Sequence, residues 1–341
     1  MTGAERHTAN LSLFDICRKF SLAATRANHL VTEFSDRAVA RMGPRLGGLG
    51  EARANRRFLQ VVDELRPDLI LLHFADRIGN AALAEAKRLS PGVLIADINI
   101  DPIDSDKNRR RLALRRGVAD ALFATTAEPA LARHVGHGAF AAFLPNPVDR
   151  SIETGRAFEL ERPTFDLLFP ATDAGVREIG EARLAPAEAV GRLRAGIVDL
   201  RLSAPGVGGE PAARGRRYFD ALMSARAGWS LSRRASLPLY ASDRMAHLFG
   251  WGLVVIQDRR AGFERFYAAD DCVFYDDFEG LFRGVRMIMA DDASARAMAQ
   301  RGWEKTWTLF ESGRVLAYVL AQLFDEGGAK GYEWPSERWA G

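Results

Sequence analysis

The sequence predicts an α/β protein built from two doubly wound, Rossmann-like domains facing a cleft. Three observations carry this. Short apolar runs recur along the chain, among them "DLILLHF" (68–74), "GVLIADINI" (92–100) and "FDLLFPAT" (165–172). They alternate with amphipathic stretches, the grammar of a parallel sheet with helices on both faces. The alternation stops at 150–163, "RSIETGRAFELERP", which is polar, charged and closed by proline, and then starts again. A chain of 341 residues suits two domains at about 150 residues each.

In the first half, "LFDICRKFSLAATRA" places Leu13, Phe14, Cys17, Phe20 and Leu22 near one helical face. "HLVTEF" (29–34) reads as a strand. "EARANRRFLQVVDEL" is an amphipathic helix through Phe58, Leu59, Val62 and Leu65, ended by Pro67. The strand at 68–74, the helix "NAALAEAKRL" and the strand at 92–100 follow. A basic helix, a strand "DALFATT" (120–126), a helix at 127–134 and "AFAAFLPNPVD" (139–149) complete this half. A doubly wound domain opens on a strand, yet here a helix begins almost at once. The opening strand is expected either upstream of the assigned start or not at all.

The second half opens with the strand at 165–172. "VREIGEARLAPAEAVGRLRA" reads as mostly helical, "DLRLSAPG" (199–206) as a strand, "RRYFDALMSAR" as a helix and "GWSLS" as a short strand. "LPLYASDRMAHLFGWGLVVIQD" (237–258) spells a loop, a short helix, two glycines and a buried strand. "CVFYDD" is the last strand, and terminal helices carry Trp303, Trp307, Phe310, Val315, Leu316, Val319, Leu320, Leu323 and Phe324. The domains are therefore expected at 1–150 and 164–325, with a linker at 151–163 and a tail at 326–341.

Composition narrows the function. The net charge is only +3, from 47 basic against 44 acidic residues, which argues against general nucleic-acid binding and leaves room for local anion sites. No apolar run reaches the ~18 residues of a membrane helix, and the N-terminus lacks a signal-peptide pattern, so a cytoplasmic protein is the expectation. Cys17 and Cys272 are isolated and read as free thiols. No fixed-period repeat is visible.

From Leu237 onward the order of features resembles the GT-B glycosyltransferases, in particular the spore-maturation-type (CgeB-like) bacterial group and its group 1 relatives. The residues that carry the likeness are "SDRMAHLFGWGLVVIQD", "AGFERFY", "CVFYDDFEGLF", "MIMADDASARAMAQRGWEKTW" and "FESGRVLAYVLAQLF". Earlier, "RPDLILL", "LPNPVD" and "FDLLFPATDAGVREI" match a first-domain strand, the crossover and the opening strand of the second domain. The likeness spans about 56 to 325. It implies transfer of a sugar from a nucleotide-diphosphate sugar, metal-independent and without a further cofactor, to a glycan, lipid-linked or protein acceptor in surface polysaccharide or glycoconjugate synthesis. The second domain would take the donor and the first the acceptor. Many retaining relatives carry two glutamates eight positions apart; the matching positions here are Leu239 and His247, so no glutamate role carries over.

Such chemistry needs positive charge or free N–H groups for the diphosphate leaving group, and a base for the acceptor hydroxyl. A helix beginning near Ser242 offers its N-terminus to phosphate. Arg244 adds a two-pronged cation, and Asp243 would cap the helix, orient Arg244 or meet a sugar hydroxyl. Arg233, at the end of "GWSLSRR", and Arg177, after the strand at 165–172, are further donor-binding candidates, as is Gly252 in the turn into "LVVI". The competing reading is an ordinary N-cap and solvated surface arginines. His247 is a candidate base, since histidine titrates near neutrality. Asp101, at a strand's carboxyl end, is the second.

Asp101, Asp104 and Asp106 suggest a metal by residue type, but the spacing is unlike an EF-hand and a strand-end turn explains it better. The basic run 107–116 suggests a solvated helix face, or peripheral contact with the inner membrane surface. His134 and His137 lack further ligands for zinc, and "GPRLGGLGE" (43–51) and "GVGGE" (206–210) fit no nucleotide-loop pattern. The alternatives to a transferase are a sugar-nucleotide epimerase of the same architecture and a non-catalytic sugar-binding protein.

Overall fold

The computed structural model describes residues 15–42 and 48–341. Leu13, Phe14 and most of the glycine-rich 43–51 stretch lie outside the described residues. The chain forms two compact units, Met1–Pro145 with Ser312–Gly341, and Asn146–Glu311.

In the first unit, α1 (Ile16–Arg26) starts at Asp15, whose carboxylate accepts the Arg18 N–H. α2 (Asp36–Arg41) and α3 (Leu49–Leu65) follow, then β1 (Leu69–His73), α4 (Asn80–Leu89), β2 (Leu94–Asn99), α5 (Asp106–Arg115), β3 (Ala121–Ala124) and β4 (Phe140–Phe143). The residues between β3 and β4 form a 3-10 turn, Pro129–His134, rather than an α-helix. β1 to β4 are parallel and lie in sequential order, Leu69 opposite Leu94 and Ala121 opposite Phe140. Phe34, Phe58, Val62, Ile70, Leu72, Leu83 and Ile95 are part of one core beneath them. The expected strand at 29–34 does not form. His29 and Leu30 are exposed, and a strand with no neighbour to pair with leaves its backbone donors and acceptors unsatisfied.

The second unit contains β5 (Phe165–Leu168), the hairpin β6 (Arg177–Ile179) and β7 (Ala182–Leu184), α6 (Pro186–Gly196), β8 (Leu202–Ser203), α7 (Arg216–Leu222) and β9 (Ala225–Ser230). It continues through α8 (Asp243–Gly250), β10 (Val254–Asp258), β11 (Val273–Tyr275), α9 (Phe278–Ala290) and α10 (Asp292–Phe310). The hairpin replaces the start of a segment that reads as helical. Gly180, with φ +54°, makes its turn, and the helix begins only at Pro186, a favoured first-turn residue.

The main sheet runs β11-β10-β9-β5-β8, and its paired strands are parallel. In chain order that is 2-1-3-4-5, a doubly wound arrangement whose order reverses between β5 and β9. Leu167, Phe169, Trp229, Val254 and Ile256 fill the core around it.

Two boundaries differ from those expected. Residues 150–163 are not a free linker. The Asn146 amide donates to Ala241 O at 2.9 Å, and Ala157 N–H to Trp251 O at 2.8 Å. Phe158 is buried against Trp303, and Arg226 and Arg296 donate to the carbonyls of Ala157, Leu160 and Phe158. A segment whose apolar side chain and carbonyls are both taken up inside a unit is a brace, whatever its average polarity.

The last helix, α11 (Ser312–Phe324), and the tail belong with the first unit. The Tyr318 hydroxyl donates to Phe143 O at 2.9 Å, and β12 (Trp339–Ala340) pairs antiparallel with β4. Arg338 donates to the carbonyls of Gln322, Asp325 and Glu326, satisfying the end of α11.

Three glycines let α8 approach its neighbours. A Cβ at Gly228 would come within 2.2 Å of Leu248 Cδ2, one at Gly250 within 2.6 Å of Glu153 Cγ, and one at Gly252 within 2.6 Å of Phe158 Cδ1. Gly252 also has φ +78°, where a side chain is strained. Gly252→Ala is therefore expected to lower stability by about 1–3 kcal/mol in denaturant unfolding, with an unchanged m-value.

Candidate functional site

The switch point between β5 and β9 is where an open α/β sheet presents its carboxyl-end crevice. Three arginines gather there. Arg244, in the first turn of α8, is half-buried. Its Nε donates to Pro170 O, just past β5, at 2.8 Å, and its Nη1 to Leu231 O, just past β9, at 2.9 Å. Its guanidinium also lies 5.3 Å from the centroid of the Phe169 ring. One side chain thus ties both strand ends to α8. Nη2 has no partner among the described residues.

Arg177, at the start of β6, is buried. Its Nη1 donates to Ala174 O at 3.1 Å and its Nη2 to Thr172 O at 3.4 Å, while its Nε has no partner. Arg233 is exposed, in the loop after β9. Among the described residues none of the three forms an ion pair with a carboxylate. Burial first, and then the Arg244 and Arg233 guanidinium groups, push the Arg177 pKa down to about 10. Burial lowers that of Arg244 too, with Arg233 adding to the effect against the opposing influence of Tyr218 and Tyr240. Neighbouring Arg234 differs, because Glu178 on β6 lies 3.5 Å from it and also accepts from the Ser236 hydroxyl. Among the described residues these three cations have no carboxylate partner, so their positive charge is not cancelled locally.

Ser242 is the N-cap of α8, extended at φ −85° and ψ 163°, but its side chain makes no capping bond. The expected Ser cap is a backbone cap only, so its hydroxyl leaves the first-turn N–H groups to other acceptors. Asp243 is the first helical residue, partly exposed. Leu239, in the preceding loop, is buried with φ +53°, and its N–H donates to Ala261 O at 2.7 Å. Gly252 is buried against Phe158, which accounts for it as a packing residue.

His247 faces inward. Its Nδ1 lies 2.6 Å from Glu153 Oε1, both residues are buried, and the ring meets Tyr218 edge-on at 5.6 Å. Burial raises the Tyr218 pKa, so its phenol stays protonated. Sequence reasoning missed Glu153, which stands in the stretch taken as a linker. A signal was present: Asp149 and Glu153 are spaced almost as in a capping box, and Glu153 Oε2 accepts the Asp149 N–H at 2.6 Å.

The remaining candidates lie in the first unit. Asp101 follows β2, partly exposed, and its carbonyl accepts from Asn99 and Asn108. Of the basic run, Arg111 and Arg115 are structural. Arg111 donates to Asn99 and Asn108 and lies 4.7 Å from the Phe74 ring centroid; Arg115 donates to Asn80 and Ala75 O. Among the described residues no group of three His, Cys, Asp or Glu could hold a metal ion, and Cys17 and Cys272 are both buried.

Residues 187–321 match the family model described as "Glycosyl transferase-like". No curated protein sequence matches the chain. Among solved structures, sucrose-phosphate synthase from Thermosynechococcus elongatus aligns at TM-score 0.56 and 14% identity, covering 89% of this chain and 90% of that one. Anabaena HepE in complex with UDP-glucose aligns at 0.56 and 13%, covering 94% and 97%. A glycosyltransferase from Rickettsia africae aligns at 0.52 and 8%, covering 92% and 94%. The fold is that of the GT-B glycosyltransferases, two Rossmann-like domains in one chain.

Because Arg244 satisfies two strand-end carbonyls and Arg233 satisfies none, the two should separate in stability. Arg244→Ala is expected to cost about 1–3 kcal/mol in unfolding free energy, and Arg233→Ala to stay within about 0.5 kcal/mol of the parent. Denaturant titration of the two variants checks this.

Proposed function

We propose that the protein is a glycosyltransferase that takes a nucleotide-diphosphate sugar at the switch point of its second unit. One observation carries the reading: Arg177 and Arg244 lie beside the switch point where a doubly wound sheet binds ligands, Arg233 is near enough for its charge to act on both, and among the described residues none of the three pairs with a carboxylate. A diphosphate supplies the missing negative charge. It also leaves as an anion in sugar transfer, so the same cations stabilise the charge that develops at the leaving oxygen. The transferase-like match over 187–321 and the UDP-glucose bound by HepE support a nucleotide-sugar as the ligand class.

In this reading Arg244 and the first turn of α8 hold phosphate oxygens, and Arg177 acts through charge from its carbonyl cradle. Arg233, the exposed member, closes over the ligand. His247 serves the donor or the acceptor hydroxyl, and Asp101 in the first unit is the second candidate base. The acceptor is a glycan, a lipid-linked sugar or a protein. An anionic lipid surface would be met through Lys107, Arg110 and the exposed Leu114 of α5. Among the described residues no helix is long and apolar enough to cross a membrane. We further propose metal-independent transfer, in which arginine takes the charge-neutralising role.

A thermal-shift screen against UDP-, GDP-, dTDP- and CMP-sugars tests the reading. A true donor at a hundred times its Kd should stabilise the fold by about 2.7 kcal/mol, and the same donor should be hydrolysed slowly without acceptor. No shift with any nucleotide would overturn it.

A further inference from the structure

We infer that Asp173 is a positioning residue: its carboxylate latches the loop between β5 and β6 to the glycine-rich loop after β8, and so holds Arg177 and Arg244 in place for a diphosphate. This role rests on the reading above for the identity of the ligand, whereas the latch rests on geometry alone. Asp173 Oδ2 accepts the Gly208 N–H at 2.8 Å.

Both guanidinium groups lean on the one loop, residues 169–176. Arg244 Nε donates to Pro170 O near its start, and Arg177 donates to Thr172 O and Ala174 O further along. Residues 172–176 are exposed and belong to no strand or helix, so no packing of their own fixes those carbonyls. Backbone pairing with the β8 side reaches only as far as Ala171, through Phe169 N–H to Ser203 O at 2.8 Å and Ala171 N–H to Pro205 O at 3.2 Å. Beyond it, among the described residues, the Asp173 bond alone ties residues 172–176 to the loop after β8.

The loop that Asp173 grips is itself well tied. Val207 N–H donates to Ala204 O at 3.0 Å, Glu210 N–H to Val207 O at 3.1 Å and Gly206 N–H to Glu210 O at 3.1 Å. The Gly208 N–H takes no part in these turns and goes to Asp173. Gly208 and Gly209 have φ of +62° and +84°, a conformation that suits glycine. A Cβ at Gly206 would come within 2.1 Å of Ala171 O, so the two loops touch. Among the described residues Asp173 forms no ion pair, so the latch fixes the loop without neutralising either arginine. Asp173 never touches the ligand; it acts through the carbonyls that hold Arg177 and Arg244.

Two variants separate the acceptor of Asp173 from its charge. Asp173→Asn keeps a side-chain oxygen for the Gly208 N–H and removes the charge. Asp173→Ala removes both. A positioning role needs only the acceptor, so asparagine restores what alanine loses. The side chain is exposed, so thermal midpoints close to the parent are expected for both.

Hydrogen–deuterium exchange and calorimetric titration with UDP decide it. The peptide covering 204–210 should exchange faster in Asp173→Ala than in the parent, and at the parent rate in Asp173→Asn. UDP should bind about fivefold more weakly to Asp173→Ala and within about twofold of the parent to Asp173→Asn, with uridine binding unchanged in both. Parent-like exchange in Asp173→Ala would overturn the latch. Faster exchange with parent-like UDP affinity, or an equal loss of UDP affinity in Asp173→Asn, would overturn the positioning role. If the parent binds neither UDP nor any other nucleoside diphosphate, the functional reading falls instead, while the exchange comparison still decides the latch.

Discussion

Two guanidinium groups, those of Arg177 and Arg244, are held against backbone carbonyls with no carboxylate partner among the described residues, and the proposed site of the second unit depends on them. Arg244 reaches Pro170 O and Leu231 O, carbonyls just beyond the two strands that flank the switch point. Carbonyl oxygens satisfy N–H donors without neutralising the charge. The fold thereby satisfies the hydrogen-bonding demand of the side chain and keeps its positive potential. Arg177 repeats the device with the carbonyls of its own loop, and burial holds its pKa at about 10. An arginine paired with glutamate, as Arg234 is with Glu178, has no such potential to offer a ligand.

That corner works only if α8 stays in place, and α8 is held from several sides. Gly228 lets Leu248 sit on β9, Arg244 pins the first turn to two strand ends, and Glu153 pins His247 from the brace. The brace is itself fixed through Asn146, Ala157 and Phe158. Preorganisation of this kind would serve the proposed leaving-group site, because donors already aimed at developing charge need no reorganisation during a reaction.

Much of this was legible in the sequence. Continuous apolar runs are unambiguous for strands covered on both faces, and β1, β2, β5 and β10 lie within the segments that read as strands. The compact loop, helix and strand at 237–258 were equally clear, because Pro, Ser-Asp and the two glycines mark the boundaries. What stayed hidden were tertiary pairings. Residues 150–163 look like a linker because polarity says nothing about whether a glutamate meets a histidine 94 positions away. The 29–34 segment has the residues of a strand but no partner strand. The terminal helix returns to the first unit through the Tyr318 hydroxyl and the paired tail, which local pattern does not encode. Arg111 and Arg115 look like a basic surface because periodicity does not distinguish a solvated arginine from one folded under its helix.

The central claim is that the arginine corner recognises a diphosphate. The most direct measurement compares calorimetric affinities for UDP and for uridine in the parent and in Arg233→Ala, whose exposed side chain supports no part of the fold. The account predicts roughly tenfold weaker UDP binding in the variant, as for loss of one charge-assisted contact, with uridine binding unchanged. Equal UDP affinity in the two proteins, or an equal loss for uridine, would contradict it.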